Sequence, residues 1–379
     1  MAGAVCAQAL AQAGHAVQVF DKSSGPGGRL ATRRFEWLEA VDGQALQRTT
    51  PLDHGAIAFK AQCPGFQAFI HHAKQAGCVS DWVPVLAPGS RPVAIGQRLV
   101  PTPDLPALCR HLLQGVSASW SFAVDALQKG PLGWQLQAAG GRQSGWFDAV
   151  VLALPPAQAA PLLGRHRVDW ARHTSVAPMQ PCWTLMGMAA AHGPAPAWDL
   201  AQPPSGPIAW VLRPDARPGR EPVPGHAQWV VHARSGWSRR YLEETPAWVQ
   251  AQLQAALDAW LGRAVDWRHA AVHRWRYALP LVRPESQAPR HWWDAAQGLG
   301  VCGDWLGGGC CGVEGAWWSG HTLASAALES VAAQAAAAEP ATARPAPRNL
   351  AAASALLSNA ALSANAALSS RLLLPREAA

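Results

Sequence analysis

Asp21 lies eighteen residues after Gly3, and the chain then reads Lys22-Ser23-Ser24-Gly25-Pro26-Gly27-Gly28-Arg29. A carboxylate at the end of a short apolar run can accept hydrogen bonds from a ribose hydroxyl. A glycine pair lets backbone N–H groups come close to a phosphate, and Arg29, with Lys22 nearby, adds cations that can hold one. These residue types at this spacing suit a dinucleotide. Stepping along the chain gives the elements that must position them. Ala4, Val5, Ala7, Leu10 and Ala13 predict a small-residue helix opened by Gly3, and Gly14 suits its left-handed C-terminal cap. His15 to Phe20 predicts a strand ending at Asp21. The G-x-G-x-x-G fingerprint should follow a buried strand, and Met1-Ala2-Gly3 supplies only its last three positions. The expectation is therefore a reading frame that continues upstream of Met1 with a short Val/Ile-rich strand and Gly-x-Gly. Taken alone, residues 1–20 also fit an ordinary Ala-rich surface helix.

The acidic residue followed by Gly27-Gly28-Arg29 resembles the second-strand signature of FAD-dependent oxidoreductases of the amine-oxidase type. Arg29-Leu30-Ala31-Thr32-Arg33-Arg34 and Asp53-His54-Gly55-Ala56 are similar to the continuation found in the renalase-like branch of that family. The resemblance, from Gly3 to Ser330, implies FAD as cofactor, with Gly3, Asp21, Lys22, Gly27, Gly28, Arg29, Arg33, Asp53, His54, Gly55 and Ala56 around it. It implies that Gly303-Asp304 closes the cofactor site, Asp304 facing the ribityl or pyrophosphate region. Val313, Glu314, Gly315 and Ala316 would open a helix whose N–H groups point at the flavin. His54 is read as lining the cofactor rather than as a base. Two departures are a long glycine loop at 307–312 and the lack of the usual arginine before Val313-Glu314; a covalent flavin link through Cys310 or Cys311 is not expected.

Composition bounds the class. With 379 residues, 49% of them hydrophobic, the chain can build two sizeable cores. The net charge of +7 comes from 27 Arg and 4 Lys spread along the chain, which suits an anionic small molecule. There is no helix-turn-helix, zinc or RNP pattern for nucleic acid. The eight cysteines show no C-x-x-C spacing, so neither a metal site nor a disulfide scaffold is expected. No secretory signal pattern is visible, and the reading is a cytoplasmic protein.

Further along, Phe35 to Pro51 shows no clean period, and Asp53 to Phe59 predicts a strand. Phe66 to Ala76 predicts a helix, Val93 to Val100 a strand and Leu105 to Leu113 a helix. Ser117–Leu127, Trp134–Ala138 and Arg142–Trp146 predict a β-meander, and Phe147–Leu154 a buried parallel strand beside Leu299–Cys302. Runs at 176–183, 208–211, 228–233, 236–238 and 273–280 predict a largely antiparallel sheet, with a helix capped by Thr245 and started by Pro246. Gly298 to Gly303 satisfies G-x-G-x-x-G literally but is itself strand-like and opens no helix.

The fold expected is α/β: a Rossmann-like FAD-binding domain with an inserted meander (1–60, 105–164, 296–331) and an α+β substrate domain with a mainly antiparallel sheet (61–104, 165–295). A low-complexity tail, rich in Ala and Ser and read as neither packed nor membrane-spanning, follows from 332. The function expected is hydride transfer from a small substrate to flavin N5, with oxygen as acceptor. The family resemblance suggests a dihydronicotinamide-type substrate related to NAD(P)H. Candidate substrate walls are Trp183, Trp210, Trp275 and Tyr277, which would otherwise be core aromatics. An amine oxidase is the rival within the class, and a cofactor-free binding protein is the rival outside it.

Overall fold

The computed structural model describes residues 1–41, 44–91, 95–281, 288–306 and 310–338. Its first half runs α1 (Ala2–Gln12), β1 (Gln18–Phe20), β2 (Thr32–Val41), β3 (Gln44–Asp53), α2 (Pro64–Gln75), β4 (Val79–Trp82), β5 (Arg98–Pro101), α3 (Ala107–Leu112), β6 (Ser117–Ser119), β7 (Val124–Gly130), β8 (Gly133–Ala138), β9 (Arg142–Phe147) and β10 (Val150–Leu152). The second half runs α4 (Pro156–Leu163), α5 (Val168–Ser175), β11 (Met179–Ala190), β12 (Leu200–Ala201), β13 (Ile208–Leu212), β14 (His226–Ala233), α6 (Ser235–Arg240), α7 (Pro246–Leu261), β15 (Trp267–Pro280), β16 (His291–Asp294), β17 (Leu299–Cys302) and α8 (Gly312–Ala338). One compact unit is Met1–Leu328; of the second, Glu329–Ala379, residues 329–338 are described and continue α8 past the expected boundary at 332. The tail from 339 lies outside the described residues. No helix among the described residues is long and apolar enough to cross a membrane.

The parallel strands fall in two sheets. β1 pairs with β6, and β10 pairs with β17, which carries antiparallel β16 on its other edge. The expected neighbours Val150–Leu152 and Leu299–Cys302 are thus in register. The run Ser117–Leu127 is not one strand: its first three residues pair with β1, Ser121 turns the chain with φ 54°, and only the part from Val124 joins the meander β7-β8-β9. Phe35 to Pro51, without clean period in the sequence, lies within a long hairpin of β2 and β3. The strand expected at Asp53 to Phe59 ends at Asp53 instead, leaving a loop tied to β5 by a bridge between Phe59 and Leu99. Of the strand expected at Val93–Val100, residues 98–100 are in β5, and 92–94 lie outside the described residues.

A five-stranded sheet of order β12-β13-β14-β11-β15 forms the second layer. Alternation sorts its residues. Trp183, Leu185, Val211, Trp229 and Val231 turn to one face and bury Val249, Leu253 and Leu257 of α7. Thr245 accepts the Trp248 N–H at 3.3 Å, and Gly262 ends α7 at φ 68°. Met186, Leu212 and Val230 turn to the other face, onto the core of Leu52, Phe66, Leu105 and Leu108. Residues 236–238 are helical rather than a strand, because Trp237 stacks on Trp248 of α7 at 6.2 Å and 9°.

Candidate cofactor and substrate site

The turn at Gly14 reverses the chain, so the amino end of α1 and the carboxyl end of β1 lie at the same end of the layer. Ala153, just past β10, is there too: a Cβ on Gly3 would sit 2.9 Å from the Ala153 Cβ, which is why only glycine fits. Met1 gives α1 no side-chain cap, and its first turn carries no acidic residue. Its free N–H groups and positive dipole end therefore favour an anion. At the end of β1, Asp21 accepts the Ser23 N–H at 2.8 Å. Gly27 (φ 132°) and Gly28 (φ 59°) then make a left-handed turn, and a Cβ on Gly27 would meet the Leu30 carbonyl oxygen at 2.2 Å. Lys22 and Arg33 are exposed, Arg33 lying 5.3 Å over the Phe35 ring.

Arg29 and Asp304 hold each other. The guanidinium donates to both carboxylate oxygens, at 3.0 and 2.5 Å, and to the Ala278 carbonyl at 3.1 Å. Asp304 also accepts the Gly312 N–H at 3.1 Å, which ties the end of β17 to the start of α8. Asp304 is buried, whereas the Arg29 side chain is 35% exposed. Gly303 donates its N–H to Ser319 Oγ at 2.8 Å.

Two expected cofactor ligands are spent elsewhere. Glu314 accepts the N–H groups of Gln62 (3.1 Å) and Cys63 (2.8 Å), which anchors the segment leading into α2. Asp53 is 2% exposed and enclosed by Thr32 Oγ1 (2.5 Å), Arg217 (3.1 Å) and Arg220 Nε (2.8 Å), leaving no lone pair for a ligand. Burial alone would raise the Asp53 carboxyl, but the two guanidiniums and the hydroxyl outweigh it and hold it below the usual carboxylate value. Gly55 serves chain packing: a Cβ there would lie 2.1 Å from the Arg29 carbonyl oxygen, and the Ala56 N–H donates to that same oxygen at 3.0 Å. Val313 and Ala316 pack into apolar cores, while Gly315 lets α8 approach the Cys310 backbone.

The inner face of the five-stranded sheet supplies a polar row. His232 of β14, Thr184 of β11 and His273 of β15 are direct cross-strand partners, and Trp210 pairs with His232. Trp275, two residues along from His273, shares that face. His54 packs on the row, 5.3 Å from the Trp275 ring at 24° and 5.0 Å from the His273 ring, and the Trp275 indole donates to the His54 carbonyl at 3.2 Å. Burial, with His273 and Arg33 close by, pushes the His54 imidazole down to about 4. Burial, with Arg217 and His54, pushes His232 down to about 3. All the chemistry here is that of uncharged imidazoles at neutral pH.

Of the expected walls, Trp210 and Trp275 belong to this face and Tyr277 is half-buried further along β15. Trp183 does not belong to it. It is 1% exposed on the opposite face and its indole donates to the Tyr241 carbonyl at 3.0 Å. Sequence reading missed His232, His273, Arg217 and Arg220. The period of two in His273 and Trp275 was the available signal for one of them.

Fold and site together define a mixed α/β protein with a Rossmann-like nucleotide-binding region and an antiparallel sheet. Residues 1–73 match the NAD(P)-binding Rossmann-like domain family. The fold is similar to an oxidoreductase from Methanosarcina mazei (14% identity, TM-score 0.59, covering 86% of this chain and 98% of that one). It is also similar to a redesigned putrescine oxidase (12%, 0.57, 86% and 96%) and to cyclohexylamine oxidase from Brevibacterium oxydans (13%, 0.54, 87% and 97%).

The donor set fits an FAD at its phosphate and ribose half. The N-terminus of α1 is uncapped, Gly3 is a cradle that a Cβ would fill, and Asp21 retains acceptor capacity at the strand end.

Proposed function

We propose that the protein is an FAD-dependent oxidoreductase that oxidises a small substrate lying against the His54, His273 and Trp275 face. The observation that supports this most is the convergence of the α1 amino end, Asp21 and the Gly27-Gly28 turn at the carboxyl ends of the parallel strands, where such sheets bind dinucleotides. Residues 1–60, 105–164 and 296–331 form the cofactor part in this reading, and 61–104 with 165–295 the substrate part. Bound FAD supplies the hydride acceptor. The α1 N-terminus and the glycine turn hold the pyrophosphate, Asp21 accepts from the ribose, and Lys22 adds positive charge at the exposed edge. The Arg29–Asp304 pair fixes the loop after β1 against the start of α8. The aromatic and imidazole face orients substrate and excludes water.

The sequence resemblance supports a dihydronicotinamide-type substrate. Anaerobic addition of dihydronicotinamide isomers to the purified holoprotein should bleach the visible flavin band, and air should restore it with release of peroxide. A flavin band that does not respond to them contradicts this substrate. The amine oxidases among the similar folds favour a second reading, in which amines bleach the flavin and ammonia and aldehyde appear. A colourless protein that FAD does not reconstitute would leave the cofactor-free alternative.

A further inference from the structure

Apolar side chains that stay in water gather where α5 leads into β11. Among the described residues eleven large apolar side chains are exposed, and four of them, Val168 (61%), Val176 (74%), Leu279 (56%) and Leu281 (48%), lie on α5 and beside the ends of β11 and β15. The backbone puts them together. Leu279 pairs with Gln180, and the Leu281 N–H donates to the Pro178 carbonyl at 3.0 Å. Leu279 and Leu281, two positions apart, therefore turn to the same side as Pro178, which is itself exposed. Val176 lies two residues before Pro178. Val168, Arg172 and Val176 are spaced by four, which lines them along one side of α5 and its C-cap. Single exposed apolar residues are ordinary, but a gathered patch marks a surface that a partner or a bilayer covers.

Charge selects what covers it. Asp169, the acidic residue of α5, is held by Arg167 at 2.7 Å, while Arg172, exposed in the middle of the stripe, has no ion-pair partner among the described residues. A second copy docked across a two-fold axis would bring two uncompensated guanidiniums into one desolvated apolar contact. Val and Leu also rarely anchor protein partners. An anionic bilayer answers both features: its acyl boundary takes the aliphatic side chains, and its phosphates meet the guanidinium. The net charge of +7 draws the chain toward such a surface.

We propose that this patch docks the protein on an anionic bilayer surface, with Val168, Val176, Leu279 and Leu281 entering the acyl boundary and Arg172 at the lipid phosphates. The contact is peripheral and reversible, made by a few aliphatic side chains. None of these residues belongs to the cofactor or substrate face assigned above, so docking and oxidation hold or fail separately.

The test is co-sedimentation of the full chain with vesicles of phosphatidylcholine alone or with about 30% phosphatidylglycerol, at about 0.1 M salt. The anionic vesicles should bind the chain at least about tenfold better than the neutral ones. Val176→Asp and Leu279→Asp should each lower that binding by about tenfold or more. Arg172→Gln should lower it by about fivefold, and on the anionic vesicles only. Leu132→Asp is the control: it adds the same charge at a position 69% exposed between β7 and β8, and should leave binding unchanged. No preference for anionic vesicles, aspartate variants that bind like the wild type, or an equal loss in Leu132→Asp would each overturn the proposal. If Leu279→Asp does not fold, Val176→Asp, placed between α5 and β11, decides alone. Sedimentation equilibrium without vesicles reads the competing occupant: a dimer that Val176→Asp dissociates would give the face to a second copy and overturn bilayer docking.

Discussion

The two faces of the five-stranded sheet are built from alternate residues of the same strands, yet they differ in kind. The outer face puts Trp183, Leu185, Trp229 and Val231 against α7; the Trp183 indole there donates to the Tyr241 carbonyl, while the Trp267 indole packed on the same face has no partner among the described residues. The inner face puts Thr184, His232, His273 and Trp275 beside His54, with two imidazole nitrogens left unpaired. One face is mainly aliphatic and indole packing, and the other gathers imidazoles beside a hydroxyl. A one-residue change of register would exchange the two sets, so the bulges in β15 opposite Cys182 and Ala189 bear directly on the site.

The sharpest way to break the inner face is through the ion cluster behind it. Asp53→Ala leaves Arg217 and Arg220 buried without a counter-ion and should cost about 3–5 kcal/mol of stability, read by chemical denaturation. A loss below about 1 kcal/mol would mean that the cluster is solvated. Acid should act next. The unfolded His54 imidazole takes up a proton below its ordinary 6.5, whereas the folded one resists until about 4. The stability it contributes is therefore whole above pH 6.5 and declines as the pH falls to about 4, by on the order of 3 kcal/mol. His54→Gln should flatten that decline, and an unchanged pH profile would remove His54 as its cause.

A smaller effect separates two carboxylates that look alike in the sequence. Glu314→Ala strips the Gln62 and Cys63 N–H groups, just before α2, of their acceptor and should cost about 1–3 kcal/mol of stability, without changing FAD affinity per folded molecule. A selective loss of FAD from a stable Glu314→Ala would return this residue to the cofactor.

Local features were legible. Gly14, Gly27-Gly28 and Thr245-Pro246 mark turns and helix starts by their own backbone chemistry, and the structure has them in those roles. What stayed hidden depends on distant partners. Asp53 meets Arg217 across 164 positions and Glu314 meets Cys63 across 251, so neighbouring residues gave no sign that either carboxylate was already occupied. Trp183 takes the core alternative for a related reason. Its aromatic character is visible in the sequence, but the face it takes is fixed by its pairing with Arg274 in β15.

The central claim is that the dinucleotide lies at the strand ends, on Asp21 and the α1 N-terminus. FAD titration of the flavin-stripped protein, followed by flavin fluorescence, tests it when run side by side with Asp21→Ala. The wild-type chain should saturate at one equivalent, and the variant, losing an acceptor worth about 1–3 kcal/mol, should bind at least about fivefold more weakly at unchanged stability. Equal affinities for the two chains, or no saturation by the wild type, would contradict it.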